Sequence, residues 1–164
     1  MGSGGLLGET PNDSVYPERL NEGLPERTIM HEIQHLVEAA LYVDDLDRAE
    51  AFYRDVLGLA LIGKAAGRHV FFLAGEGVVL LFNAEETRKG GQLPAHGAEG
   101  PGHVALGIAR EAVAHWRKRL AEQGVHIEKE IDWPRGGRSL YFRDPAGNAV
   151  ELVTPGCWGL PSGW

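Results

Sequence analysis

The chain has 164 residues, of which 43% are hydrophobic and 24% charged, with a formal net charge of −7. This is the balance of an ordinary soluble protein long enough to bury a real core. The acidic excess argues against nucleic acid or an anionic membrane as the main partner, and no apolar run approaches the ~20 residues of a membrane-spanning helix.

Residues 1–35 are rich in Gly, Pro, Asn and charge and read as an N-terminal extension, with no basic start and apolar centre of the kind a signal peptide carries. Within it, residues 28–35 fit a short helix or a lead-in strand. Residues 37–43 (VEAALYV) alternate as a strand does. Asp44 and Asp45 then offer helix-capping oxygens, and Leu46, Ala49, Tyr53, Val56 and Leu57 fall on one apolar stripe that Gly58 ends. Strands are predicted at 60–62, 69–73 and 78–82, closing a first module at residues 36–84. Residues 85–101, polar and Gly-rich, read as a linker. A second module, 102–155, follows with a strand at 103–108, a helix at 111–123 and strands at 125–127, 139–143 and 149–153. In the tail, 156–164, Cys157 is the single cysteine, which excludes an internal disulfide and suits a reducing cytoplasm. In its Gly/Pro-rich setting it reads as an inert thiol.

The order strand, helix and three strands thus occurs twice. The residues repeat as well: ALYV at 40–43 matches ALGI at 105–108, GRHVFF at 67–72 matches GRSLYF at 137–142, and GVVLLF at 77–82 matches NAVELV at 148–153. The offsets are 65, 70 and 71, as loop insertions in a duplicated module would produce. The fold class expected is α+β: two tandem βαβββ modules with curled mixed sheets.

Register then selects residues, because strand side chains alternate between faces. His103 shares a face with Ala105 and Gly107, and Glu151 with Ala149 and Val153. Their repeat mates are Glu38 and Leu80. Three of these four equivalent positions carry metal-binding side chains in otherwise apolar strands, where an unpaired charge costs several kcal/mol. A divalent cation bound by Glu38, His103 and Glu151 would resolve that cost. Oxygen and imidazole donors suit Fe, Mn, Ni, Co, Zn or Mg.

The segments VDDLDRAEAFYRDVLGL (43–59), GHVALGI (102–108) and SLYFRDPAGNAVEL (139–152) are similar to those of the vicinal oxygen chelate superfamily. That superfamily includes glyoxalase I, fosfomycin-resistance proteins, bleomycin-binding proteins and ring-cleaving dioxygenases, and the likeness spans residues 36–155. The resemblance implies paired βαβββ modules curled into a metal-binding cup, with ligands on the first and last strand of each. It also implies a homodimer; modules of this type often swap between chains, which would set Glu38 of one subunit facing His103 and Glu151 of the other. This chain departs from the family: Leu80 cannot ligate, and Glu38 stands where the family's dioxygenases and fosfomycin enzymes place a histidine.

Register adds further candidates. Tyr141 shares a face with Ser139 and Arg143, and in similar proteins the tyrosine at this position faces the cup. Its repeat mate is Phe71, and that of Ser139 is His69, a candidate general base. Trp133 and Arg135 precede the strand and can line the cup mouth, where an arginine suits an anionic substrate. The expected activity is metal-dependent chemistry on a small oxygen-rich substrate, with Glu151, His69 and Tyr141 as catalytic candidates. Dioxygenase-like chemistry is slightly favoured over a glyoxalase-like lyase or isomerase. The competing class is a metal-free drug-binding protein with a cleft of Phe71, Trp133, Tyr141 and Trp158. HEIQH, beginning at His31, has zinc-protease spacing but lacks the long helical context such a site needs.

Overall fold

The computed structural model describes residues 33–160 and 162–164. His31 and Glu32 of HEIQH lie outside the described residues. Residues 33–37, the end of the extension, are exposed and carry no regular structure.

The first strand is β1 (Glu38–Tyr42). The Asp45 carboxylate then accepts from the Arg48 amide at 3.0 Å and caps α1 (Leu46–Ala51). The helix does not stop there. It widens into a π-helical turn over Phe52–Val56, where Leu57 N–H reaches the Phe52 carbonyl at 3.2 Å. The extra residue lets Phe52, Tyr53, Val56 and Leu57 all turn inward, and all four are buried. Gly58, with φ of 74°, ends the run. Then come β2 (Ala60–Ala65), β3 (His69–Ala74) and β4 (Gly77–Phe82).

The segment read as a linker is partly structured. Asn83 accepts from the Glu85 and Glu86 amides and starts a short helix, α2 (Ala84–Arg88). The second module repeats the first with β5 (His103–Gly107), a 3-10 turn at Arg110–Ala112, α3 (Val113–Glu122), β6 (Lys129–Asp132), β7 (Arg138–Arg143) and β8 (Ala149–Val153). The strand expected at 125–127 lies further along, at β6. Val125 and Ile127 pack against the core as irregular chain, and pairing with β7 begins where Glu128 N–H meets the Tyr141 carbonyl at 2.8 Å. The β6 sequence KEID is charged, as suits an edge strand that must not recruit another chain.

The strands form two open four-stranded sheets, ordered β1-β4-β3-β2 and β5-β8-β7-β6. Each is mixed: β1 runs parallel to β4, β5 runs parallel to β8, and the other pairs are antiparallel. The fold is α+β, with the duplicated strand order the repeat predicts. One face of each sheet packs on the helices. Val70, Phe72 and Leu81 of the first sheet and Leu140, Phe142 and Val150 of the second are fully buried there, in one cluster with Ala49, Tyr53 and Leu120. Each such large side chain contributes roughly 2 kcal/mol in removing apolar area from water.

Polar contacts lock the modules together. The Tyr53 hydroxyl donates to Asp144 at 3.1 Å, and the Asn148 side-chain amide donates to the Tyr42 carbonyl at 3.1 Å. Asn148 also accepts from Gly102 N–H at 2.7 Å. Arg119 of α3 donates to the carbonyls of Val56 at 2.6 Å and Asp55 at 2.9 Å, satisfying the open end of the first module's helix.

Candidate metal centre

Pairing across β5, β8 and β7 sets rows of side chains on the face turned away from the helices. His103 is level with Ala149 and Arg143, Ala105 with Glu151 and Tyr141, and Gly107 with Val153 and Ser139. His103 and Glu151 therefore converge diagonally from neighbouring strands. His103 Nε2 lies 3.3 Å from Glu151 Oε2, the imidazole half exposed and the carboxylate buried at 6% exposure.

The hydrogen bonds define what this pair lacks. His103 Nδ1 is 3.2 Å from the Ala149 carbonyl, which can only accept, so Nδ1 carries the proton of the neutral ring. Nε2 then turns a lone pair toward a carboxylate oxygen. Two acceptors at this distance repel unless a proton or a cation lies between them. The 3.3 Å span is the separation two ligands about 2.1 Å from one ion keep at a roughly tetrahedral angle. The residues present fit a divalent cation.

Glu151 is held from its other side. The Ser139 hydroxyl donates to Oε1, and Trp133 Nε1 donates to the Ser139 oxygen at 2.7 Å. Outer partners of this kind fix a ligand's orientation. Tyr141 lies directly across from Glu151, its ring stacked 6.3 Å from that of His103. Burial, and then the Glu151 charge, push its phenol well above the usual tyrosine pKa, so it remains a proton donor at neutral pH.

Glu38 sits exposed on β1 of the other sheet, and among the described residues no three His, Cys, Asp or Glu side chains gather to hold a metal. His103 and Glu151 are brought together within the chain, and Glu38 is not with them. Arg135 donates to the Trp158 carbonyl at 3.0 Å and so holds the tail.

The equivalent face of the first sheet is aromatic. Leu80 occupies the row of Ala40 and Phe71, as Glu151 does that of Ala105 and Tyr141. His69 stacks on Phe71 at 4.1 Å, and both meet Phe82 edge-on. His96, from the segment after α2, joins them: its Nδ1 is 2.8 Å from the Tyr42 hydroxyl and its ring lies edge-on to Phe82 at 4.8 Å. The segment 85–101 reads as a linker because nothing in its composition shows that His96 N–H bonds back to the Thr87 carbonyl. A concavity of about 350 Å³ between Tyr42, Asn83, Pro101 and Ala146 includes none of the candidate ligands.

Among the described residues His69 Nδ1 is buried without a hydrogen-bond partner, and desolvation, then the Arg68 charge, lower the pKa of the ring. The unfolded chain therefore takes up this proton more readily than the folded one. Its contribution to stability is present when the ring is neutral in both states and is lost as pH falls through the ordinary histidine pKa. The expected result is a melting temperature that drops between pH 7.5 and 5, with a smaller drop in His69→Phe. Equal drops in both proteins would remove His69 as a cause.

These features define an α+β fold of duplicated βαβββ modules, and the chain belongs to the Glyoxalase/Bleomycin resistance protein/Dioxygenase superfamily, whose family model matches residues 32–152. It is 32% identical over 123 residues to the metallothiol transferase FosB of Bacillus licheniformis, covering 74% of each chain. It is 28% identical to catechol-2,3-dioxygenase of Bacillus subtilis, over 76% of this chain and 43% of that one. The crystal structure of lactoylglutathione lyase from Agrobacterium tumefaciens is 40% identical, with a TM-score of 0.76, over 79% of this chain and all of that one. Among the described residues, no helix is long and apolar enough to cross a membrane.

Proposed function

We propose that this protein is a divalent-metal-dependent enzyme that chelates two adjacent oxygens of a small substrate. The reading rests on one observation: His103 Nε2 and the buried Glu151 carboxylate face each other at 3.3 Å from neighbouring strands. His103 and Glu151 would hold the ion, and Glu38 from a second copy would complete the set, leaving positions open for substrate oxygens. The ion would supply Lewis acidity to those oxygens. Tyr141 would donate a hydrogen bond to a substrate oxygen, and Ser139 and Trp133 would keep Glu151 in place.

Within this reading, non-redox chemistry of the lyase or isomerase type is favoured. Support comes from the 40% identity, across its whole length, to a protein named as a lactoylglutathione lyase. The dioxygenase reading, slightly favoured from the sequence alone, moves to second, carried by the 28% identity to catechol-2,3-dioxygenase. Protein purified without chelator should contain a divalent metal stoichiometrically, and His103→Ala should lose it. Turnover of methylglyoxal hemithioacetal, of fosfomycin with a thiol, or of catechol then separates the reactions. Absence of metal at every stage, together with metal-independent binding of an aromatic drug, would leave the drug-binding class instead.

A further inference from the structure

The tail folds onto the same sheet face as the metal ligands. Gly156 N–H donates to the Gly163 carbonyl at 2.6 Å, Leu160 N–H to the Trp164 carbonyl at 2.6 Å and Gly163 N–H to the Leu160 carbonyl at 2.8 Å. This turn places the six-membered ring of Trp164 against Gly107, so closely that a β-carbon there would collide with it. Gly107 lies two residues along β5 from Ala105, which is level with Glu151. At about 3.3 Å per residue the indole is one row, or roughly 7 Å, beyond the ligand row.

Further tail contacts agree. A β-carbon on Gly137 would strike the Cys157 backbone, and the Cys157 thiol is raised by burial and by the Glu151 charge. Ser139 and Val153, in the Gly107 row, are 0% and 8% exposed on a face that carries no helix. At the other end His103 stays half exposed. Between them Ala105 is exposed, next to Glu151 in its row.

We propose that Trp164 is a specificity-determining wall: seated on Gly107, one row beyond Glu151 and the exposed Ala105, it limits the bulk of the group attached to the chelated oxygens. The inference rests on the metal reading above, since the chelated oxygens fix which way that group points. It assigns to the site small substrates whose attached group is flat or short and apolar, because this side of the site offers the Ala105 methyl and an indole.

Hydroxamates test it, since they chelate through two adjacent oxygens and need no turnover. In the Mn²⁺-loaded full-length protein, acetohydroxamate should bind more tightly than 2-naphthohydroxamate. Trp164→Ala should improve naphthohydroxamate affinity by about tenfold or more, the scale of steric discrimination in an apolar pocket, with Mn²⁺ and acetohydroxamate affinities unchanged. An unchanged ratio of the two hydroxamates in Trp164→Ala overturns the proposal. If the wild-type protein binds no Mn²⁺, the metal reading fails by itself, and the wall is then read from the single cysteine. Reaction of Cys157 with a bulky aromatic disulfide should accelerate about tenfold or more in Trp164→Ala if the indole pins the tail, and an unchanged rate overturns the proposal.

Discussion

Glu151→Gln is expected to lower Mn²⁺ affinity by about two orders of magnitude or more, while the metal-free protein keeps or gains thermal stability. The two effects have one cause. The glutamine side chain keeps the size of the glutamate and keeps an oxygen to accept from Ser139. At the other position it sets an amide N–H against the His103 Nε2 lone pair, where the wild-type chain sets a carboxylate oxygen at 3.3 Å. An opposed pair of acceptors becomes a hydrogen bond, and a buried charge is removed. The metal meanwhile loses an anionic ligand. Mn²⁺ titration followed by electron paramagnetic resonance reads the first effect, and the melting temperature in chelator reads the second. Unchanged Mn²⁺ affinity would place any metal elsewhere. A strongly lowered melting temperature without metal would mean that Glu151 is a structural carboxylate.

What the sequence reveals about this site is what strand periodicity and duplication can carry. His103 opens β5 and Glu151 sits midway along β8, and a period of two puts both on the face opposite Val104, Val150 and Leu152. The parallel register of β5 on β8 then brings them together. The same reasoning identifies Leu80 as the repeat mate of Glu151, and the first sheet duly presents an aromatic face there. Periodicity cannot report contacts made by irregular chain. His96, Cys157 and Trp164 all reach the open faces from Gly-rich segments, whose paths depend on hydrogen bonds between residues that show no pattern. Gly107 and Gly137 are close-approach positions for the tail, which no local pattern announces. The π-helical turn escaped for a related reason: an apolar stripe of Leu46, Ala49, Tyr53, Val56 and Leu57 fits an α-helix or a slightly unwound one equally well. Glu38 shows a different boundary. Equivalence under the repeat fixes its strand and face, but within one chain it lies apart from its repeat mate His103.

Asp144→Ala is expected to lower the unfolding free energy by about 3–5 kcal/mol. Asp144 is 4% exposed and opens the DPAGN turn that sets the register of β8. Its Oδ1 accepts from the amides of Ala146 at 2.9 Å and Asn148 at 2.8 Å, and its Oδ2 accepts from the Asn148 side chain at 2.9 Å and the Tyr53 hydroxyl at 3.1 Å. Alanine leaves four donors without this acceptor, three of them on fully or almost fully buried residues, and each unmet buried group costs about 1–3 kcal/mol before relaxation. The loss extends beyond the turn. Asn148, no longer oriented, would release the Tyr42 carbonyl and Gly102 amide that it bridges, and Tyr53 would lose its tie to the second module. Tyr53→Phe removes one donor and leaves the other three bonds in place, so it should cost about 1 kcal/mol. Burial and then the Asp144 charge hold the Tyr53 phenol far above its usual pKa, so this bond should persist until the protein is strongly alkaline. Denaturant midpoints at constant slope measure both variants, and the double mutant isolates the shared bond. A loss below about 1 kcal/mol in Asp144→Ala would show that water replaces the carboxylate freely.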